Sequence, residues 1–434
     1  MRASEVVRGD LIRYGLLLSE SKCMWGARRM LEWTGLVFDT VKFRLTVPEW
    51  KVVKALGVVQ DMLDRRRSLV LTKELASVAG LLGSFSLGMG VVTRFYTRSM
   101  LTKLVEVTEQ FGWSGKLYLG DRVVEELLFW KNNMRACNGH RMRKEDRVLH
   151  LKTVDMYSDA GEHMMGGAQF RGEHIVEGSV FKQYFSEQER GMSSTYRELR
   201  AIEDGIKIRG EHLRGHVVRW GCDNWAASKI ITLGSMKSDC HEVAKAICRV
   251  SKEFEVVLEP FWLSRESMEI KVCDALSKDF DMSDYRLCEQ DFGMLWVRFG
   301  PFSVDFFSSS FTVRCRPFFS KLNCVGAEGV DAFSVDWGVW GNGFFHPPVG
   351  LVAKVLRYAE CCGARGLLVV PDWPASVFMA RLREKELEGK VDMVLRFRPK
   401  LEAPGWMKSG VFRGTPKFDF LVYSFNFGAM MAVQ

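Results

Sequence analysis

The spacing of apolar residues changes character twice along the 434 residues. Before residue 48, a helix-like stretch over residues 6–18 precedes strand-like pieces at 30–37 and 42–47. Pro48 sits where proline opens a helix well. Val52, Val53, Leu56, Val59 and Met62 then recur at helical spacing up to Arg65-Arg66-Arg67. Thr72 or Ser68 offers a cap for the next helix, with Leu75, Val78, Ala79 and Leu82 inside it. Residues 91–107 and 121–134 keep the helical rhythm. The polar run 138–147 reads as a linker.

From residue 149 the pattern becomes α/β. Residues 154–159 alternate like a strand that ends on an acid, and Gly161, Gly166 and Gly167 suggest hairpin turns. Ser193-Ser194-Thr195 offers an N-cap for a helix over 196–208, with Leu199, Ile202 and Ile206 on one face. Residues 217–222 and 256–263 read as strands, and 226–233 and 241–253 as helices. A further helix begins or ends at 274–279. After residue 284 a second α/β pattern follows, with strands predicted at 304–307, 367–370, 391–397 and 418–425. Its helices are predicted at 349–361 and 375–387. The expectation is a multidomain α/β chain in four parts: 1–47, a helical region 48–148, a mixed-sheet domain 149–283, and a second α/β domain 284–434.

Composition fits this picture. With 47% hydrophobic and 26% charged residues, wholesale disorder, collagen and coiled coil are excluded. The net charge of +8 is unevenly placed. Residues 1–150 hold 25 Lys/Arg against 16 Asp/Glu, and the remainder is close to neutral. A basic first third suggests a polyanion partner, although a solvated basic face gives the same count. The 11 cysteines form no CxxC pair, which suits a reduced intracellular chain, cytoplasmic or nuclear. Charges interrupt the first 30 residues and every long apolar run, so neither a signal peptide nor a membrane span is expected.

The most chemically suggestive residues are Asp159, Glu198, Asp223 and Asp274. Each falls at an expected element end: after a strand, at a helix start, after a second strand and at a late helix start. α/β sheets place site residues at such ends. Four carboxylates gathered at one point repel one another unless divalent cations lie between them. Mg²⁺ or Mn²⁺ suits such oxygen ligands, and a pair of ions can activate water against a phosphodiester. Spacing alone does not separate this from acids that simply end strands.

The words around these acids are more specific. Tyr157-Ser158-Asp159-Ala160-Gly161, Ser193-Ser194-Thr195-Tyr196-Arg197-Glu198-Leu199-Arg200-Ala201, Cys222-Asp223-Asn224 and Asp274-Ala275-Leu276-Ser277-Lys278 resemble, in order, the four acidic motifs of the ribonuclease H domain of retroelement polymerases. Upstream, Lys22-Cys23, Leu31-Glu32-Trp33-Thr34-Gly35, Leu75–Leu82 and Tyr96-Thr97-Arg98 look like the end of a reverse transcriptase palm and its thumb. Downstream, Val304-Asp305-Phe306-Phe307, Val330-Asp331-Ala332-Phe333, Asp336-Trp337 and Val369–Pro374 resemble the tail of DIRS-type retroelement polyproteins. The resemblance covers nearly the whole chain. It implies a ribonuclease H-like domain that cuts the RNA strand of an RNA–DNA hybrid. Asp159, Glu198, Asp223 and Asp274 would hold two Mg²⁺ or Mn²⁺ ions. Asn224 is a candidate backbone contact or a plain turn residue. Other retroelement proteins are candidate partners.

Three departures matter. No histidine lies between His241 and His346, so the loop histidine common before the last acid is missing; Arg265 or Glu266 could stand in for it. Ile270 occupies the position where the family often has asparagine. No Asp-Asp pair occurs anywhere, so a chain truncated before the polymerase active site is expected, with no DNA synthesis. The helical region could still grip nucleic acid through Arg65, Arg66, Arg67, Arg94, Arg98 and Lys103, by phosphate-directed contacts. Finally, Asn342-Gly343-Phe344-Phe345-His346-Pro347-Pro348-Val349 resembles a decayed Asn-Pro-Pro-Tyr motif of adenine methyltransferases of the Rossmann-like class. Val349 replaces the aromatic and no Gly-x-Gly loop is evident, so S-adenosylmethionine is not expected as a cofactor. The readings that stand are therefore a ribonuclease H-type hydrolase, a non-catalytic nucleic-acid scaffold, and, less favoured, a methyltransferase.

Overall fold

The computed structural model describes residues 2–141, 152–281, 285–404, 407 and 410–428. Residues 1–151 with 232–241 form one compact unit, and 152–231 with 242–434 form the other. The expected boundaries at 148–149 and 283–284 lie outside the described residues, as does most of the linker over 138–147. Among the described residues, no helix is long and apolar enough to cross a membrane.

The first unit opens with helix α1 (Arg2–Arg13). A small antiparallel sheet follows: β1 (Met30–Trp33), β2 (Leu36–Asp39) and β3 (Arg44–Thr46), closed by His140–Arg141. The strand predicted over 30–37 is in fact a hairpin, because Thr34 and Gly35 take positive φ and reverse the chain. Helices α2 (Glu49–Asp64) and α3 (Thr72–Gly83) follow, the first burying Val52, Ala55, Val59, Met62 and Leu63. The single helix predicted over 91–107 is broken into Val92–Phe95 and α4 (Arg98–Phe111). Here the Thr97 hydroxyl donates to the Thr93 carbonyl, a side-chain bond that competes with the helical ladder. The buried Glu126 carboxylate, from α5 (Asp121–Cys137), then accepts from the Ser99 and Met100 amides and restarts the helix. Trp130 of α5 is fully buried and donates its indole N–H to the Tyr96 carbonyl.

The second unit carries two mixed sheets. The first is built on β4 (Thr153–Ala160), β5 (Met164–Arg171) and β6 (Phe181–Tyr184), an antiparallel meander. The chain then runs through α6 (Ser194–Leu213), β7 (Val217–Cys222), helices α7 (Trp225–Leu233) and α8 (Ser238–Glu253), whose residues 232–233 and 238–241 belong to the first unit, β8 (Val257–Trp262) and α9 (Met268–Lys278). Strand order is β6-β5-β4-β7-β8, with β7 and β8 parallel to β4. The Ser193 hydroxyl accepts from the Tyr196 amide and caps α6, as the serine run predicted. Helices α6 and α9 cover opposite faces. Gly166 of β5 faces Leu276 and Ser277 of α9, whereas the next residue, Gly167, faces Phe181 on the α6 side.

The α6 face closes on one bulky residue. Trp220 of β7 is fully buried and donates to the Ser158 hydroxyl at 2.9 Å. Its ring lies under Gly205 of α6, where an added Cβ would come within 2.5 Å of it and 2.7 Å of Phe181. In an open helix, Gly→Ala gains about 1 kcal/mol. Here overpacking reverses the sign, and Gly205→Ala should cost about 1–3 kcal/mol. Urea unfolding followed by tryptophan fluorescence checks this; a raised midpoint would contradict the close packing.

The tail forms a five-stranded sheet in the order β9 (Val304–Asp305), β10 (Asn342–Phe345), β11 (Arg365–Pro371), β13 (Phe420–Asn426) and β12 (Val391–Phe397). The first three are parallel, and β13 runs antiparallel to both its neighbours. Helices α10 (Val352–Cys361) and α11 (Val377–Leu387) lie in its crossovers. Phe306, Trp337, Phe345, Leu368 and Tyr423 belong to its core. No disulfide links any of the eleven cysteines, all of which lie among the described residues.

Candidate active site

Three of the four singled-out acids meet. Asp159 is the penultimate residue of β4, Asp223 follows the end of the parallel strand β7, and Glu198 lies in the second turn of α6. One oxygen from each lies within 4.8 Å of the other two. Asp159 is 8% exposed and Glu198 4% exposed. The Asp159 carboxylate accepts from the Ser277 hydroxyl of α9 at 2.7 Å. Glu198 Oε1 accepts from the Ala160 amide at 3.2 Å, while its Oε2 is buried with no hydrogen-bond partner. Asp223 Oδ2 receives the Arg265 Nε–H at 2.5 Å, and the Asp223 carbonyl receives the Trp262 indole N–H at 2.9 Å.

This arrangement is electrostatically expensive. Burial, followed by the charges of Asp159 and Asp223, pushes the Glu198 carboxyl well above its ordinary range. Asp159 is also raised, chiefly by burial and against the pull of its Ser277 hydrogen bond. A divalent cation held by these three residues would offset that cost, because it would favour the charged form of all three carboxylates. The donor set is all oxygen, which suits Mg²⁺ or Mn²⁺.

Asp274 is not among the three converging carboxylates, though its charge acts on Asp159. It was expected at a helix start, but it lies past the middle of α9, and its carboxylate is bonded to Lys278 at 2.5 Å. The i,i+4 spacing brings Asp274 and Lys278 together on α9, and the Ser277 hydroxyl, which also donates to the Asp274 carbonyl, reaches Asp159. Ser277 and Lys278 stood in the quoted motif with no role attached. Trp225 and Trp262 flank Asp223 with 62% and 51% exposure, and no sequence signal distinguished them from core aromatics.

The other candidates divide similarly. Asn224 is a turn residue here: its side-chain oxygen accepts from the Ala227 amide, and its amide nitrogen donates to Thr195 at 3.3 Å. In the helical unit, Arg65 is tied to Glu74 and Asp61, Arg98 to the Leu233 carbonyl, and Lys103 to Glu106. Arg66 donates to the Leu63 carbonyl but stays exposed, as do Arg67 and Arg94. Among the six candidates, these three are the exposed ones. His346, Pro347 and Pro348 follow the end of β10 and line a cavity of about 530 Å³ shared with Ser308, Asp331 and Lys182. Burial pushes His346 down to about 4, so its imidazole is neutral at pH 7, and its Nε2 has no partner.

No protein-family model matches the chain, and no curated protein matches it. Solved structures with a similar fold include three that share 10–15% identity with this chain. The ribonuclease H1 of Halobacterium salinarum is 15% identical over 29% of this chain and 96% of its own, with a TM-score of 0.25. The N-terminal ribonuclease H domain of Rv2228c from Mycobacterium tuberculosis is 14% identical, over 30% and 92%, with a TM-score of 0.25. A foamy viral protease–reverse transcriptase bound to an RNA/DNA hybrid is 10% identical over 60% of this chain but 33% of its own, with a TM-score of 0.27.

Proposed function

We propose that this chain is a ribonuclease H-type hydrolase that cuts the RNA strand of RNA–DNA hybrids with Mg²⁺ or Mn²⁺. The reading rests on one observation: three carboxylates from β4, α6 and the end of β7 converge within 4.8 Å, one of them buried with an unpartnered oxygen. Asp159, Glu198 and Asp223 would hold the metal. Bound there, the metal would supply Lewis-acid activation of water and charge stabilisation at phosphorus. A second ion would draw on Asp274, which must first release Lys278. Ser277 orients Asp159, and Trp262 fixes the Asp223 backbone. The exposed Trp225 and Trp262 offer apolar contact to a sugar–phosphate groove, and discrimination of RNA would come from its 2′-hydroxyl. Arg66, Arg67 and Arg94 would add sequence-independent phosphate contacts.

The tail is read as a Rossmann-like, degenerate methyltransferase-like domain. Its parallel β9–β10–β11 run, with α10 in the second crossover, supports the fold; Val349 argues against base stacking. The first unit is read as thumb-like, within a DIRS-type polymerase.

A labelled hybrid incubated with Mg²⁺ or Mn²⁺ tests the reading. RNA fragments with an intact DNA strand are expected, and none without metal. If the hybrid is bound but never cut with either metal, the scaffold reading replaces this one.

A further inference from the structure

The acid nearest solvent in the site is already neutralised by the chain itself. Asp223 keeps only 5% of its side chain exposed, yet its Oδ2 pairs with Arg265, whose side chain is 83% exposed. The backbone that carries Arg265 is braced. The Leu263 amide donates to the Cys222 carbonyl, the Ser267 amide and hydroxyl both donate to the Ser264 carbonyl, and the Trp262 indole holds the Asp223 carbonyl. The neighbouring Glu266 is paired outward with Lys271 at 2.8 Å. Only the guanidinium arm is therefore free to leave without disturbing the loop.

A guanidinium hydrogen-bonded to Asp223 and a metal ion ligated by Asp223 draw on the same carboxylate charge. We infer that Arg265 is a placeholder cation: it holds Asp223 in the metal-free site and must be displaced when the metal enters. It stabilises three crowded acids before loading, and it weakens metal affinity by the worth of its ion pair. The inference rests on the metal reading proposed above, but its test does not require hybrid cleavage.

The measurement is Mn²⁺ affinity of the full chain without nucleic acid, by calorimetric titration, for wild type, Arg265→Gln, Arg265→Lys and Lys271→Ala. An ion pair with one exposed partner is worth up to about 1 kcal/mol, or about fivefold in affinity. Arg265→Gln should bind Mn²⁺ about fivefold more tightly and melt at a lower temperature than wild type when metal-free. Arg265→Lys should fall between them, and Lys271→Ala should match wild type. If Arg265→Gln binds no more tightly than wild type, the placeholder role is overturned while the metal site stands. Tighter binding by Arg265→Gln with no cleavage by any variant would keep the placeholder and sink the hydrolase. If neither wild type nor variant binds Mn²⁺, both fall.

Discussion

Asp159→Asn and Asp223→Asn should each lower Mg²⁺-dependent hybrid cleavage by about a thousandfold, a loss of about 4 kcal/mol of transition-state stabilisation. The two residues share one geometric cluster, so their effects should not add: the double variant should be little slower than either single one. Asp274→Asn should be milder, because its carboxylate lies outside the cluster and is already neutralised by Lys278. All three substitutions preserve side-chain volume, so folding is checked by circular dichroism and hybrid affinity by fluorescence anisotropy. Near-wild-type cleavage by Asp223→Asn would remove the metal site from the mechanism. An Asp274 variant as inactive as the others would show that α9 moves its carboxylate inward on loading.

Much of the second unit was legible because its period is strict. The alternating residues 154–159 and the short apolar run 217–222 are strands at nearly the expected bounds. Their terminal acids necessarily fall near each other, because β4 and β7 pair in parallel and end at the same edge. Glu198 was legible through Ser193, whose cap fixes where α6 begins and hence which turn faces β4. Sequence could not show what the acids do when no metal is present. Whether Lys278 or Ser277 reaches inward depends on the rotation of α9, and whether Arg265 reaches Asp223 depends on a loop braced by long-range hydrogen bonds.

Formal charge cannot distinguish Arg67 and Arg94, which are exposed, from Arg65 and Arg98, which are spent on Glu74, Asp61 and the Leu233 carbonyl. Similarly, the break at Thr97 is invisible to hydrophobic period, since the apolar residues stay in phase across it. It is decided by Glu126, almost thirty residues away, whose buried carboxylate needs two backbone donors.

The same α6 that positions Glu198 carries a second buried acid whose charge is a liability, and its removal should stabilise the protein. Asp204 is 5% exposed at its side chain and pairs with Arg200 at 3.1 Å and Lys207 at 3.5 Å. Arg200 is shared with Glu189 and Glu203, and Lys207 with Glu203. Burial outweighs the attraction of both cations and, with Glu203 and Glu189 adding repulsion, pushes Asp204 up to about 6. The folded state then holds this proton more tightly than the unfolded chain does. The contribution of Asp204 to stability is therefore greatest below pH 4, is lost as pH rises from about 4 to 6, and stays lower above that. A shift of two units corresponds to about 3 kcal/mol, an upper bound for the gain. Asp204→Asn removes the ionisation but keeps an oxygen for Arg200, which retains two further carboxylates. The variant should gain about 1–3 kcal/mol at pH 8 and nothing at pH 4, because replacing a poorly compensated buried charge is commonly stabilising. Melting temperatures of both proteins across pH 4–8 read this as two curves that diverge with a midpoint between pH 4 and 6. A variant less stable than wild type at pH 8 would mean that the Arg200 network repays the burial of its acids, reversing the sign argued here.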